Sequence, residues 1–237
     1  MEDLTNEQIT ALNLSIGDGY IRKNHGYSII FTHSPKQLDY LQFKKELLEN
    51  TDSFKKSTRR KKDSIDIVYF KTKLNDKVFN QVRYTLTNIS LLKPVFNILI
   101  KNGKKQITPE IIKYFNLQTL CLLMCDDGGV VKCKKNRVSK KTGESYTYYE
   151  PPTFRINLHS FSEYENQLIL KWLKDTYNIE GRLNINKGHR IPHFNSKNTK
   201  KIFELILPFI NKFESMKEKF KYCYEYWNYN LKVMLNR

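Results

Sequence analysis

Near the start of the chain, the spacing of apolar residues changes from that of a helix to that of a strand. An apolar stripe at helical spacing begins after Thr5, with Gln8 placed to complete a capping box. Residues 20–24 then alternate with a period of two, and a second, more apolar strand follows at residues 27–33. Ser34, which precedes a proline, is placed to begin another helix. The pattern predicts a helix, a β-hairpin and a second helix.

The second part of the chain repeats this order of elements. Beyond Asp127 the pattern predicts a strand around Val131, a basic loop at residues 132–141, and a strand at residues 154–159. An amphipathic helix that begins at about Ser162 follows this strand. The repeated order indicates that one supersecondary unit occurs twice.

Two more strands complete the repeat, at residues 65–70 and 190–195, and each is expected to lead into a helix. The sequence therefore predicts an α/β (α+β) fold of two α-β-β-α-β-β-α units with approximate two-fold symmetry and two antiparallel sheets. Proline and glycine turn signals cluster between the units. We assign residues 1–92 to the N-terminal half, 93–108 to a linker and 109–237 to the C-terminal half.

The charge balance narrows the class of partner. The 237 residues carry 41 Lys+Arg against 24 Asp+Glu, a formal net charge of +17. Such an excess attracts polyanions, which favours a nucleic acid as the partner. No segment approaches the ~20 apolar residues that a membrane span requires, so we expect no membrane partner.

The cysteines and the first residues bear on location. The four cysteines show neither C-x-x-C spacing nor histidines at zinc-finger distance, which predicts reduced, packed thiols. The acidic start lacks a hydrophobic signal region, which argues against secretion. The composition, rich in Lys, Asn, Ile, Tyr and Phe, is typical of AT-rich codons. We therefore expect an organellar protein, in a mitochondrion or alternatively a chloroplast.

An acidic residue before glycine ends both of the corresponding apolar runs. These motifs are Gly17-Asp18-Gly19 and Asp126-Asp127-Gly128. Asp and Gly are common turn residues, so either motif alone is most simply a turn. However, a carboxylate at a helix C-terminus is opposed by the macrodipole, and the repetition of an unfavourable placement indicates a task for the charge. In a strongly basic chain, that task is most simply to hold metal ions against the phosphates of DNA.

At these motifs the chain resembles the LAGLIDADG homing endonucleases in their single-chain, two-motif form, most closely the omega-type members that group I introns encode. The resemblance covers nearly the whole chain. It implies a monomer whose acidic motif helices lie at the interface of the two halves, with two β-saddles that bind double-stranded DNA. It also implies Mg²⁺-dependent hydrolysis of phosphodiester bonds, with Mn²⁺ as a possible substitute.

The same resemblance assigns the site residues. Asp18 and Asp127 would hold metal and act in catalysis, and the main-chain carbonyls of Gly17 and Asp126 would be further metal ligands. One lysine in each half would lie near the attacking water, and local similarity places these at Lys105 and Lys217. The alternative for both lysines is a solvated side chain in a lysine-rich protein.

Strand alternation predicts which side chains face DNA. In the first strand Ile21 is expected to face the core, and in the strand at 154–159 the apolar residues face the helices. Residues 182–186 alternate Arg and Asn with the apolar Leu183 and Ile185. In the strand around Val131, the extra Gly129 is expected to shift the alternation by one residue, so that Lys132 and Lys134 form the polar set. A basic segment at residues 55–62 suits phosphate contacts, or else is a solvated loop. The predicted DNA contacts are Tyr20, Arg22, Asn24, Lys55, Lys56, Arg59, Arg60, Lys61, Lys62, Lys132, Lys134, Arg155, Asn157, Arg182, Asn184 and Asn186.

These features lead to one hypothesis and two alternatives. The hypothesis is a site-specific endonuclease that cuts both strands of a long DNA target and so starts the spread of its own intron. The first alternative is an RNA-binding maturase that helps the intron fold. The second is a DNA-binding protein without catalytic activity.

Overall fold

The computed structural model describes residues 3–24, 26–52, 64–87 and 90–228. Helices and antiparallel strands alternate along them, which confirms the predicted mixed α/β fold. The helices are α1 (Asn6–Ile16), α2 (Leu38–Glu49), α3 (Leu92–Leu99), α4 (Pro109–Ile112), α5 (Leu117–Asp126), α6 (Glu163–Tyr177), α7 (Ser196–Ile210), α8 (Glu214–Lys219) and α9 (Lys221–Tyr226). The strands are β1 (Tyr20–Lys23), β2 (Tyr27–His33), β3 (Ser64–Leu74), β4 (Lys77–Leu86), β5 (Ile100–Lys101), β6 (Lys104–Lys105), β7 (Gly128–Val131), β8 (Lys134–Val138), β9 (Ser145–Tyr149), β10 (Thr153–Ile156), β11 (Arg182–Asn186) and β12 (His189–Phe194).

The chain divides into two compact units. The first contains the described residues of Met1–Asp127 and Phe209–Met216, and the second those of Gly128–Pro208 and Lys217–Arg237. Each unit has a four-stranded antiparallel sheet, in the order β1-β2-β4-β3 in the first and β7-β10-β12-β11 in the second. The two orders are equivalent, so the repeat seen in the sequence is present in the topology.

Local capping signals fix the starts of two helices where the sequence predicts them. The Thr5 side chain accepts from the Gln8 amide while the Gln8 side chain accepts from the Thr5 amide, and Ser162 and Glu165 form the same box before α6. Ser34 behaves differently, because a 3-10 turn (Pro35–Gln37) precedes α2 and the Ser34 side chain makes no capping hydrogen bond. The predicted element is therefore present, although it begins with a tighter turn.

The predicted correspondence of the strand at residues 65–70 with that at 190–195 is wrong. Strand β3 leads into β4 rather than into a helix, through a turn in which Asn75 and Asp76 both have positive φ. Such a turn matches the twist of a two-residue hairpin. Strand β4, which pairs with β2, is therefore the topological equivalent of β12, and β3 is the equivalent of β11.

The predicted basic loop at residues 132–141 is also wrong, because β8 and β9 pair as a separate two-stranded hairpin. Strand β7 ends at Val131, so Lys132 and Lys134 do not alternate along one strand as the shifted phase predicted. Tyr146, Tyr148 and Tyr149 supply aromatic strand formers opposite the basic residues of β8. The basic residues of β8 therefore lie on a β-hairpin and not in a loop.

Strand β11 departs from the predicted alternation at its far end. Ile185 was expected to face inward, but 73% of its surface is exposed. Its cross-strand partner, Arg190, is exposed as well. The apolar partners of the first predicted contacts do pack inward: Ile21, Phe154 and Ile156 are buried.

Within the first unit, α1 packs against α5 and α3. Asn13 is buried at the contact with α5, where its side-chain oxygen accepts a hydrogen bond of 2.8 Å from Thr119 Oγ1. Helix α3 begins at the last residue of the predicted N-terminal half, continues into the predicted linker, and buries Val95 and Leu99. The assignment of two halves and a linker stays a prediction. No described helix is both long and apolar enough to cross a membrane.

Candidate functional site

Two glycines shape the turn that carries Asp18 at the end of α1. A Cβ at Gly17 would come within 3.0 Å of the Asp126 side chain, and a Cβ at Gly19 would come within 3.0 Å of the Leu14 carbonyl. Both positions therefore require glycine, which explains the Gly-Asp-Gly sequence. The Asp18 side chain between them is exposed.

The carboxylate of Asp126, the last residue of α5, is fully buried and is the most heavily bonded group of the site. Its Oδ2 accepts a hydrogen bond of 3.0 Å from the Asp18 amide, which ties the two motifs together within this unit. Its Oδ1 accepts from Tyr40 Oη at 2.8 Å and from Lys44 Nζ at 2.6 Å. Burial and the Asp126 charge raise the pKa of Tyr40, so the phenol remains a donor.

Lys44, on α2, supplies the positive charge that this buried carboxylate needs. Its side chain is also fully buried, with Nζ 3.2 Å from His33 Nε2 and 4.6 Å from the centre of the Tyr40 ring. Burial alone would raise the pKa of Asp126, but the charges of Lys44 and His33 and the hydrogen bonds hold it below its usual value. Asp126 is therefore a paired carboxylate.

His33 connects this pair to the exposed acid. It lies at the end of β2, and its Nδ1 is 3.8 Å from Asp18 Oδ2. Ligand atoms of Asp18, His33 and Asp126 all lie within 4.8 Å of one another. One imidazole therefore stands between two carboxylates, one exposed and one buried.

Lys105, on β6, reaches the same centre. Its Nζ donates a hydrogen bond of 2.6 Å to the carbonyl of Gly17. Burial lowers the pKa of Lys105, and the nearby charges of Asp127, Asp126 and Asp18 oppose this effect without cancelling it. The structure thus brings the first predicted lysine next to the predicted acids, with an ammonium that loses its proton more readily than usual.

The other predicted site residues are placed as follows. Asp127 is the half-buried C-cap of α5, and its amide donates to the Leu123 carbonyl. Lys217 is half-buried in α8 and belongs to the second unit. Their catalytic roles, and the metal-binding roles of the Gly17 and Asp126 carbonyls, stay predictions.

The donor set fits a hard divalent cation. Carboxylate oxygens at Asp18 and Asp127 and the Gly17 main-chain carbonyl are the ligand types that Mg²⁺ prefers. Ligand atoms of Asp18, His33 and Asp126 lie close enough together to share an ion, but Lys44 already neutralises Asp126. This pairing opposes a metal at the buried carboxylate, and the metal-binding roles of Asp18 and Asp127 stay predictions.

The outer face of the first sheet carries the predicted contacts of β1. Tyr20, Arg22 and Asn24 are exposed, whereas Ile21 between them is buried. The six basic residues predicted at positions 55–62 lie outside the described residues.

A polar row crosses the outer face of the second sheet. His193 pairs with Arg155 on one side and Arg182 on the other, and burial and these two arginines lower the pKa of His193. The Nε of Arg155 is buried and has no hydrogen-bond partner in the part of the chain that the structure describes. Asn157, Asn184 and Asn186 are half-buried, and Asn186 Oδ1 lies 3.0 Å from His159 Nε2.

Lys132 and Lys134 differ in their surroundings. The Lys132 ammonium lies between two rings, 4.6 Å from the centre of Tyr149 and 4.7 Å from that of Tyr222. Lys134, the first residue of β8, is exposed. Lys132 is therefore held in place by cation–π contacts, while Lys134 is open to a polyanion.

Sequence reasoning missed His33, Lys44 and Tyr40. A signal for His33 exists, because His33 and His159 each precede a serine, shortly before a helix, in equivalent parts of the repeat. Lys44 and Tyr40 give no such signal, since a lysine and a tyrosine on an amphipathic helix are ordinary. Their role becomes evident only from contacts with a residue more than 80 positions away.

Comparisons with known proteins place this site in a family. The sequence model of the LAGLIDADG DNA endonuclease family matches residues 14–202, a span that includes both acidic motifs. Over 202 residues the chain is 27% identical to Protein RecA of Mycolicibacterium flavescens; this covers 82% of the chain but 42% of that protein, so the chain spans less than half of the relative's length. The homing endonuclease I-WcaI, solved bound to its DNA recognition sequence, has a TM-score of 0.70 at 18% identity, over 92% of this chain and 88% of that one. The likeness to the I-WcaI structure establishes the fold. The match to the family model covers most of the sequence. The chain therefore belongs to the LAGLIDADG DNA endonuclease family.

Proposed function

We propose that the protein is a site-specific endonuclease that hydrolyses phosphodiester bonds in both strands of a long duplex DNA target, using Mg²⁺ with Mn²⁺ as a substitute. The observation that carries the proposal is the convergence of both acidic motifs and Lys105 in one unit: Lys105 Nζ donates to the Gly17 carbonyl at 2.6 Å, and Asp126 Oδ2 accepts from the Asp18 amide at 3.0 Å. Such a combination suits a reaction that needs metal-binding acids and a proton-transfer group together.

The chain's own residues have separable tasks in this reaction. Asp18 and Asp127 would hold the metal, which when bound supplies stabilisation of negative charge on the phosphate and a water of lowered pKa. Asp126 fixes the main chain at Asp18 by accepting from its amide. Lys105, anchored on the Gly17 carbonyl, presents an ammonium of lowered pKa that can exchange a proton with water.

The proposal includes the finer features of this function. The protein would act as a monomer, because both acidic motifs are present in one chain. Cleavage of an intronless allele would start intron mobility, and the organelle would be a mitochondrion or alternatively a chloroplast. The net charge of +17 and the basic face of the second sheet support DNA as the partner.

Lys105→Met is expected to slow cleavage about 100-fold with little change in DNA affinity, because it removes a proton-transfer group and keeps the length of the side chain. Single-turnover cleavage and equilibrium binding of the same duplex would measure the two effects. Lys104→Met is the matched control, since Lys104 is the exposed neighbour on the same short strand. Equal rates for the two variants would remove Lys105 from the reaction.

The proposed function is tested by incubating the full chain with supercoiled DNA that carries the intronless host allele. Discrete double-strand cuts that require Mg²⁺ and disappear with EDTA are expected. Binding to the duplex without cutting would instead support a DNA-binding protein without catalytic activity. Tight binding to intron RNA, with no cutting of DNA, would support the maturase function.

A further inference from the structure

The β3–β4 hairpin exposes more apolar surface than a solvated hairpin needs. Val68, Leu74 and Phe79 are exposed by 46%, 65% and 45%, respectively. Exposed apolar side chains that cluster on one element commonly mark an interaction site. Nothing in the reaction described above uses these three residues.

These three side chains lie on one face of the hairpin, whereas the exposed Tyr69 and Val78 lie on the other. Val82 and Tyr84 of β4 are buried and so define the side covered by helices. Directly paired residues of an antiparallel sheet point to the same face, and Val68 pairs with Arg83, between the two buried positions. Alternation along the strands then puts Leu74 and Phe79 on the same outer face as Val68.

The rest of this face is also rich in methyl groups and rings. Phe70 and Thr72 lie on it in β3, and Ile30 and Thr32 continue it into β2. Arg83 is held within it, with its guanidinium carbon 4.3 Å from the centre of the Phe70 ring and its Nε donating to Thr32 Oγ1 at 3.4 Å. The face therefore combines apolar contact surface with a fixed positive charge.

Charge selects the kind of partner for this face. Arg83 and Lys77 lie among the apolar residues, and the exposed Arg22 lies at the opposite edge of the sheet. A partner that suits this combination has a negative backbone and small apolar groups at its recognised surface. Duplex DNA has both, because the thymine C5-methyl is an apolar group on a base edge in the major groove, between two rows of phosphates.

We propose that the outer face of β3 and β4 is a thymine-recognition surface, on which Val68, Leu74 and Phe79 contact the C5-methyl groups of thymines spaced several base pairs apart, as their positions along the strands require. The inference rests on the proposed function, since it specifies the target that the endonuclease binds. Gln81 lies between these residues on the same face and has the side-chain type that pairs with an adenine edge. The half of the target bound by this sheet is therefore rich in A·T pairs.

The second sheet offers a contrast that sharpens the inference. Its outer face carries Arg155, His193 and Arg182 in one row, all of which are hydrogen-bonding groups. Such groups suit guanine and adenine edges. We therefore expect methyl-dependent recognition in one half of the target and hydrogen-bond recognition in the other.

The test replaces thymine with deoxyuridine, which pairs with adenine in the same way and lacks only the methyl group. A duplex bound by the full chain is first selected from a randomised pool, and each thymine in it is then replaced in turn. We expect separated positions in one half at which each replacement weakens binding about fourfold, the effect of one buried methyl-sized group. Phe79→Ser and Leu74→Ser should each remove the sensitivity at one of these positions.

Val78→Ser is the matched control, because Val78 is an exposed apolar residue on the opposite face of the same hairpin. It should retain full sensitivity to deoxyuridine. Tight binding and cutting with no effect of deoxyuridine would overturn the inference and leave the endonuclease intact, as would equal sensitivity in all three variants. Failure of the chain to retain any duplex would instead overturn the proposed function as well.

Discussion

Asp18→Asn and Asp127→Asn are each expected to lower the rate of double-strand cleavage by at least about 10²- to 10³-fold while duplex binding stays near its original strength. Asparagine keeps the shape of aspartate and removes the negative charge. A neutral amide binds a divalent cation more weakly than a carboxylate does, so the charge on the phosphate would lose its stabilisation. Supercoiled, nicked and linear DNA separated on a gel would report both strands at once.

Asp76→Asn provides the control for these substitutions. Asp76 is an exposed carboxylate in the β3–β4 turn with positive φ, a conformation that asparagine also adopts easily. Its replacement changes the net charge by the same amount and should leave cleavage unchanged. Unaltered cutting by Asp18→Asn would show that this acid does not hold the catalytic metal, whereas accumulation of nicked DNA in one variant would assign each acid to one strand.

Local sequence signals predicted the parts of the fold that depend on neighbouring residues. The capping boxes at Thr5 and Ser162 were predictable because each involves side chains three positions apart. The acid-glycine ends of α1 and α5 were predictable because the motif occurs twice. In contrast, the apolar pattern alone does not reveal the two-residue turn at Asn75 and Asp76 that joins β3 to β4, and the predicted equivalence of β3 is wrong for that reason.

The part of the site that the sequence did not reveal depends on contacts between distant residues. As the residue before the second acid, Asp126 is predicted from the sequence to contribute only its main-chain carbonyl. In the structure its side chain accepts from Lys44 and Tyr40, on a helix 82 and 86 positions earlier. No spacing rule relates such positions, because the link exists only once α2 has packed beside the end of α5.

The two motifs therefore differ chemically in spite of their shared backbone pattern. Gly17 precedes the first acid and Asp126 precedes the second. The Asp126 side chain occupies the space that a side chain at position 17 would need. The repeat gives the site two similar helix ends, but only the second motif brings a buried charge. This charge must be neutralised within the unit, and α2 carries the residue that does so.

Lys44→Met is expected to lower the free energy of unfolding by about 3–5 kcal/mol, because it leaves the Asp126 carboxylate buried without its positive partner. Chemical denaturation of the full chain, followed by circular dichroism, would measure the loss. Lys45→Met is the matched control on the same helix, since Lys45 forms only partly exposed ion pairs with Glu49 and Asp66. Its loss should be no more than about 1 kcal/mol.

The buried pair also fixes how stability responds to acid. The folded pKa of Asp126 lies below its unfolded value of about 3.9, so its contribution is fully present above that pH and is lost as the pH falls through the folded pKa. In Lys44→Met burial is no longer offset, so the folded pKa of Asp126 should rise and acid unfolding should begin at a higher pH. The double variant Lys44→Met with Asp126→Leu should recover most of the stability, because it removes both charges from the interior. If Lys44→Met cost no more than Lys45→Met, and its acid unfolding were unshifted, the Lys44–Asp126 contact would not be the ion pair that holds the second motif in place.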